Sequence, residues 1–178
     1  MNNILYLNKS RILLIFIAFF CILNSCDKYE EKNKYFDFDE VFHYKIKNEE
    51  NINKKNNLNI SFEKLKSEIM YGSKPNNLKD TLFIGKLTEI GYEKKRINGE
   101  EFNSLNKIFC YKKHNNSTYY NCLYKFRDIL VFKKKSKIIG IAKICFQCKG
   151  NQIIGTNKNT EEFGQSDDYE KLDELLNK

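Results

Sequence analysis

The sequence predicts an α+β domain: a small antiparallel sheet with a C-terminal β-hairpin, packed by several helices, behind a short apolar leader. Three observations carry that expectation. Residues 126–132 and 138–146 are rich in β-branched and aromatic side chains, and the lysine-rich stretch 133–137 joins them as a hairpin turn. Ile129-Leu130-Val131-Phe132 is apolar on both parities, which suits a central strand covered on both faces. Between residues 60 and 110, apolar side chains recur at helical spacing between capping residues and glycines. With 178 residues, 41% of them hydrophobic, including 14 Phe and 11 Tyr, the chain can bury the core of one domain plus extras.

Residues 35–46 alternate. Phe36, Phe38, Phe42, Tyr44 and Ile46 share one parity, interrupted by Glu40; Asp37, Asp39, His43 and Lys45 share the other, with Val41 the exception. Period two over this length argues a half-buried strand, in the sheet or beside it. Residues 47–57 are an Asn/Lys/Glu run without periodicity and read as a connector. A first helix follows, with Ser61 as cap, Ile60 stapled to Leu65, an inner face of Phe62, Leu65 and Ile69, and Gly72 as its stop. Pro75 with Asn76 and Asn77 marks a turn. A second helix is capped by Asp80, carries Phe83, Leu87 and Ile90 as its stripe, and stops at Gly91. A short strand covers 92–97. Asn98 and Glu101 have capping-box spacing for a third helix that turns Phe102, Leu105 and Phe109 inward. Residues 111–121 form a polar, Asn- and Tyr-rich loop, and 149–160 reads as a loop after the hairpin. Asp167 and Glu170 open a last helix that buries Tyr169, Leu172 and Leu176. No internal repeat is visible.

The leader carries an address. Lys9 and Arg11 precede an unbroken apolar run over 12–23, which ends in Leu23-Asn24-Ser25-Cys26. A basic segment, a short apolar segment and a small residue before a cut make a secretory signal, and the run is short of the roughly 20 residues that a spanning helix needs. The tetrad resembles the processing site of bacterial lipoproteins. That resemblance implies lipid attachment at Cys26: a diacylglyceryl thiol, cleavage before it, and acylation of the new amine. A buried acyl chain contributes roughly 0.8 kcal/mol per methylene, so one chain holds marginally and two or three hold firmly. The expected organisation is a signal peptide over 1–25, a lipidated tether over 26–58 that includes the possible strand 35–46, and a compact domain over 59–178. Losing Lys9 and Arg11 with the leader takes the formal charge from +8 to +6. The clusters Lys94-Lys95-Arg96 and Lys133-Lys134-Lys135 are short and read as solvated strand-end and turn residues rather than a patch for acidic lipid or glycan. Nucleic acid is not an expected partner for a secreted, lipidated chain.

Several stretches resemble small uncharacterised lipoproteins of the Bacteroidota type. They are Pro75 with Asp80-Thr81-Leu82-Phe83-Ile84, Leu87 and Gly91-Tyr92; Arg127-Asp128-Ile129-Leu130-Val131-Phe132; Ile144-Cys145-Phe146-Gln147-Cys148; and Phe163-Gly164-Gln165 with Asp168-Tyr169. The likeness covers most of 60–178 and the leader. It implies one fold and an envelope location, with Asp27, Glu30 and Glu31 resembling a signal for export to the outer face of the outer membrane. It implies no activity.

Of six cysteines, the lipoprotein resemblance implies that Cys21 leaves with the leader and that Cys26 is lipidated. Cys110, Cys122, Cys145 and Cys148 remain in an oxidising setting, where disulfides persist and three pairings are open. A strand continuing through Cys145 and Cys148 would hold their Cα atoms about 10 Å apart on opposite faces, so bridging them needs a turn right after Phe146. A Cys110–Cys122 bridge would close an eleven-residue loop, with about 3 kcal/mol expected from loop entropy. Structural disulfides or inert thiols are the favoured reading. A redox CxxC belongs at a helix N-terminus, whereas this one ends a strand, and no proline follows it. A four-cysteine zinc site would have one knuckle instead of two, and covalent haem would ordinarily need His where Lys149 stands. His43 and His114 are too few and too distant in sequence to supply an obvious further ligand. No metal, cofactor or catalytic residue is therefore expected. No GxSxG, HExxH, P-loop or GxGxxG occurs, and Asp128 beside Arg127 reads as a structural ion pair. Asp80-Thr81-Leu82 resembles a short O-glycosylation motif but sits at a helix start.

The expected class is a non-enzymatic, lipid-anchored envelope protein with the membrane and a protein or glycan as partners. A thiol-redox or metal-binding protein using the CxxC, and an immunity lipoprotein against a secreted toxin, are the alternatives.

Overall fold

The computed structural model describes residues 33–46, 60–113 and 122–177. The tetrad at 23–26, residues 27–32, the 47–57 connector, His114 and most of the 111–121 loop lie outside them. Five strands form one antiparallel sheet: β1 (Glu40–Ile46), β2 (Tyr92–Ile97), β3 (Asp128–Lys134), β4 (Lys137–Cys145) and β5 (Gly150–Ile154), in the spatial order β2-β1-β3-β4-β5. Helices α1 (Ile60–Met70), α2 (Gly99–Ile108) and α3 (Asp168–Leu176) complete the α+β architecture with a 3-10 helix over Leu82–Lys86. Among the described residues no helix is long and apolar enough to cross a membrane.

β3 sits at the centre, and Ile129, Leu130, Val131 and Phe132 are all buried. Alternation sends Ile129 and Val131 to one face with Tyr44, Ile46 and Ile141, where Ile69 and Met70 of α1 and Phe83, Leu87 and Ile90 cover them. Leu130 and Phe132 go to the other face with Val41, Ile97, Ala142 and Ile144, under Leu105 and Ile108 of α2 and Leu172, Leu175 and Leu176 of α3. β1 joins the sheet between β2 and β3, with Val41 opposite Ile97 and Phe132. The compact unit therefore begins at Tyr35, ahead of the boundary expected at residue 59.

The alternating stripe of 35–46 divides between the two cores. Phe36 and Phe38 lie against Phe132, with ring centroids 4.6 and 5.0 Å away, whereas Tyr44 and Ile46 point to the opposite face. A bend at Asp39 separates an extended lead-in from the strand, so residues of one parity change face. Glu40 and Val41, which broke the sequence pattern, mark that change. The Phe36 ring also lies on the backbone of β4: a Cβ added at Gly140 would come within 2.3 Å of it.

Other boundaries shift for local reasons. The helix expected from Asp80 to Gly91 is a five-residue 3-10 helix followed by turns, although Phe83, Leu87 and Ile90 face the core as the stripe required. Asn98 precedes α2 without capping it; its amide donates to Arg96 O and Glu101 pairs with Lys95 instead, so the capping box does not form. α1 begins at Ile60, which is 86% exposed rather than packed as a staple, and Ser61 lies inside the first turn. Asp167 precedes α3 in a left-handed conformation with no side-chain cap. The β3–β4 turn is two residues, Lys135 and Ser136, both at positive φ, as a right-twisted hairpin favours. The stretch expected as a loop after Cys148 contains β5, which Ile153 ties to the core while Asn151 and Gln152 hide the pattern.

Gly140→Ala is expected to lower stability by about 1–3 kcal/mol, because the methyl overpacks against Phe36. Urea midpoints measure the loss, and Phe36→Leu in the same chain should recover part of it by vacating that space.

Candidate functional site

Three polar arrangements interrupt the apolar interior, and each joins parts of the chain that are remote in sequence. The first is the cysteine cluster. A turn does follow Phe146, with Lys149 N–H donating to Phe146 O, yet Cys148 bridges to Cys122 rather than to Cys145, with Cα atoms 5.9 Å apart. Cys110 and Cys145 stay as buried thiols. Cys145 ends β4 beside Phe126 and accepts the Lys125 N–H at 3.4 Å, while Cys110 lies past the end of α2 near Asn106 O. With two of the four sulfurs joined, they cannot ligate zinc together as they stand. Among the described residues, no group of three or more His, Cys, Asp or Glu is placed to hold a metal ion.

The second arrangement is a buried lysine. Lys143 of β4 has no exposed surface and faces the α1 side of the sheet. Its ammonium donates to Gly72 O at 2.8 Å and Lys74 O at 2.9 Å, and lies 4.4 Å from the centroid of the Phe126 ring. Gln152, its cross-strand neighbour, donates to Ser73 O at 2.7 Å and Pro75 O at 3.0 Å. Four consecutive carbonyls, 72 to 75, are thus taken alternately by two side chains. Gln152 Oε1 is buried without a hydrogen-bond partner among the described residues. Burial pushes the Lys143 ammonium down to about 7.

The third is a histidine–aspartate pair on the other face. His43 Nε2 lies 2.8 Å from Asp128 Oδ1, and both side chains are about 95% buried or more. The expected Arg127–Asp128 pair is replaced by this one, because alternation along β3 turns Asp128 inward to the strand that carries His43. His43 forms part of the wall of a cleft of about 300 Å³ with Lys45, Glu93, Lys94, Lys95, Leu176 and Asn177, between the β1–β2 edge and the C-terminal end of α3. Lys45 donates to the Asn177 side chain. No hydroxyl or thiol lines the cleft, so it offers hydrogen bonds and charge rather than one of those nucleophiles. The other buried aspartate, Asp168, is taken by Lys112.

Of the residues singled out from sequence, Cys122 and Cys148 come together and Cys110 and Cys145 do not; Cys26 lies outside the described residues. Sequence reasoning passed over Lys143 and the His43–Asp128 pair. A lone lysine inside the apolar strand 138–146 was a usable signal, since such a charge needs acceptors. Nothing local signalled the histidine pair, which spans 85 positions. No family model matches the chain, and neither a curated protein nor a solved structure matches it.

Two measurements check these sites. A maleimide should leave Cys110 and Cys145 unlabelled in the native domain, label those two in denaturant, and reach all four only after reduction. Replacing Cys122 and Cys148 together by Ala should cost about 3 kcal/mol, from the loop that the 26-residue separation closes. For Lys143, the unfolded chain holds a proton that the folded chain loses first. Its stability relative to Lys143→Met should therefore be flat below about pH 7 and rise as the pH goes from about 7 toward 10. Urea titrations of both chains across that range provide the test.

Proposed function

We propose that this chain is a lipid-anchored protein of the cell envelope, held in the outer membrane, that works by binding a protein or glycan rather than by catalysis. The observation that carries the reading is the tetrad Leu23-Asn24-Ser25-Cys26 behind a basic segment and a twelve-residue apolar run. The Cys122–Cys148 bridge supports it, because such bonds persist in extracytoplasmic compartments. The cleft at His43 supports the binding half: it is lined by charged and amide groups without a hydroxyl or thiol. The thiol-redox alternative loses its motif in this arrangement, since Cys148 is bonded outside the CxxC.

Metabolic labelling with a palmitate analogue should mark the intact chain, and Cys26→Ala should lose the label. Labelling that persists in Cys26→Ala overturns the anchor.

A further inference from the structure

The fold brings together two basic clusters that are separate in sequence. β2 and β3 both pair with β1, so Lys94 and Arg96 from one cluster and Lys133 from the other stand around Phe42. Lys94 Nζ lies 4.1 Å and Lys133 Nζ 4.9 Å from the centroid of the same Phe42 ring. The two ammonium groups are therefore at most 9 Å apart, the sum of those distances, which is comparable to the screening length of physiological salt. Neither has a carboxylate partner among the described residues. Arg96 shares this face and reaches Glu40 at 3.2 Å. The remaining carboxylates at this end of the sheet are occupied: Asp37 by Lys134, and Asp39 by the Lys135 N–H at 2.8 Å. Lys135 and Lys137 at the hairpin turn add two exposed cations. Lys94, Arg96, Lys133, Lys134, Lys135 and Lys137 thus stand with Asp37, Asp39 and Glu40, and Glu93 flanks Lys94 along β2.

We propose that this end of the sheet docks on the phosphate-bearing headgroup layer of the membrane, through Lys94, Arg96 and Lys133 set around Phe42. Two like charges held over one ring repel each other, and an anion placed between them relieves that repulsion while the ring keeps both ammonium stems in position. A headgroup layer supplies many such anions in one plane and suits an exposed face better than an enclosed pocket would. Chain length permits the contact. From Cys26 to Tyr35, where the compact unit begins, the tether is nine residues, a reach of at most about 30 Å. That geometric point rests on the anchoring reading; the charge arrangement does not.

The test uses the mature chain from residue 26 carrying Cys26→Ala, so that neither the apolar leader nor an attached lipid contributes, with vesicles of phosphatidylcholine alone or with added phosphatidylglycerol. The chain should bind the phosphatidylglycerol vesicles on the order of 100-fold more tightly than the same chain with Lys94→Ala, Arg96→Ala and Lys133→Ala. High salt should erase the difference, and phosphatidylcholine vesicles should not distinguish the two. Lys94→Gln with Lys133→Gln leaves the Arg96–Glu40 pair in place and should lose roughly 30-fold, which guards against misfolding of the triple variant. Equal binding by parent and variants overturns the proposal. So does charge-dependent retention on heparin without discrimination on phosphatidylglycerol, which would assign the face to a glycan. Because attached lipid is absent, either result leaves the Cys26 reading standing, and persistent palmitate labelling of Cys26→Ala would leave this one standing.

Discussion

Burial of β3 on both faces is the constraint from which the rest of the domain follows. A strand whose four consecutive residues, Ile129 to Phe132, all lose their contact with water needs a neighbour on each edge and a cover on each side. β1 and β4 supply the edges. α1 and the 3-10 helix cover the odd residues, and α2 and α3 cover the even ones. The lead-in at Tyr35 to Phe38 also serves the second core. It does so by carrying Phe36 and Phe38 onto Phe132, where Phe109 closes the aromatic group at 4.8 Å.

The same burial governs the polar groups inside. A lysine on β4 under α1 cannot reach water, so its ammonium takes backbone carbonyls and an aromatic face instead. The segment 72–75 lacks a ladder of its own and is held by Lys143 and Gln152 as a strand would be held by its neighbour. His43 and Asp128 solve the matching problem on the opposite face by bonding each other. The Cys122–Cys148 bridge ties the lead-in of β3 to the β4–β5 turn, where Phe126 and Cys145 form only a small apolar cluster. The lysine and the bridge hold segments that lack regular structure, whereas the histidine pair lies within two paired strands.

The anchor and the surface belong to one functional picture. A lipidated Cys26 would keep the domain near a bilayer, and the cations around Phe42 would then bear on how it is oriented there. The cleft at His43 is carried by the same two strands, and Lys94 both lines it and stands over Phe42, so the cleft and the docking face share a residue.

The central strand, the hairpin and the inner stripes at Phe83, Leu87, Leu105 and Leu172 were legible from sequence, because hydrophobic periodicity is local and each stripe repeats within one element. The expectation of an address at Cys26 also rests on a contiguous pattern, one that lies outside the described residues. Capping at Ser61 and Asn98 was misread, since a side chain able to cap can find a different partner nearby, as Asn98 does at Arg96. β5 was missed because an edge strand needs only one apolar face, and Asn151 and Gln152 supply neither. The change of face at Asp39, the choice of Cys122 for Cys148, the pairing of His43 with Asp128 and the meeting of Lys94 with Lys133 were decided only by the tertiary structure. Each depends on which strands become neighbours, and strand order follows from covering both faces of β3 at once rather than from any local run of residues.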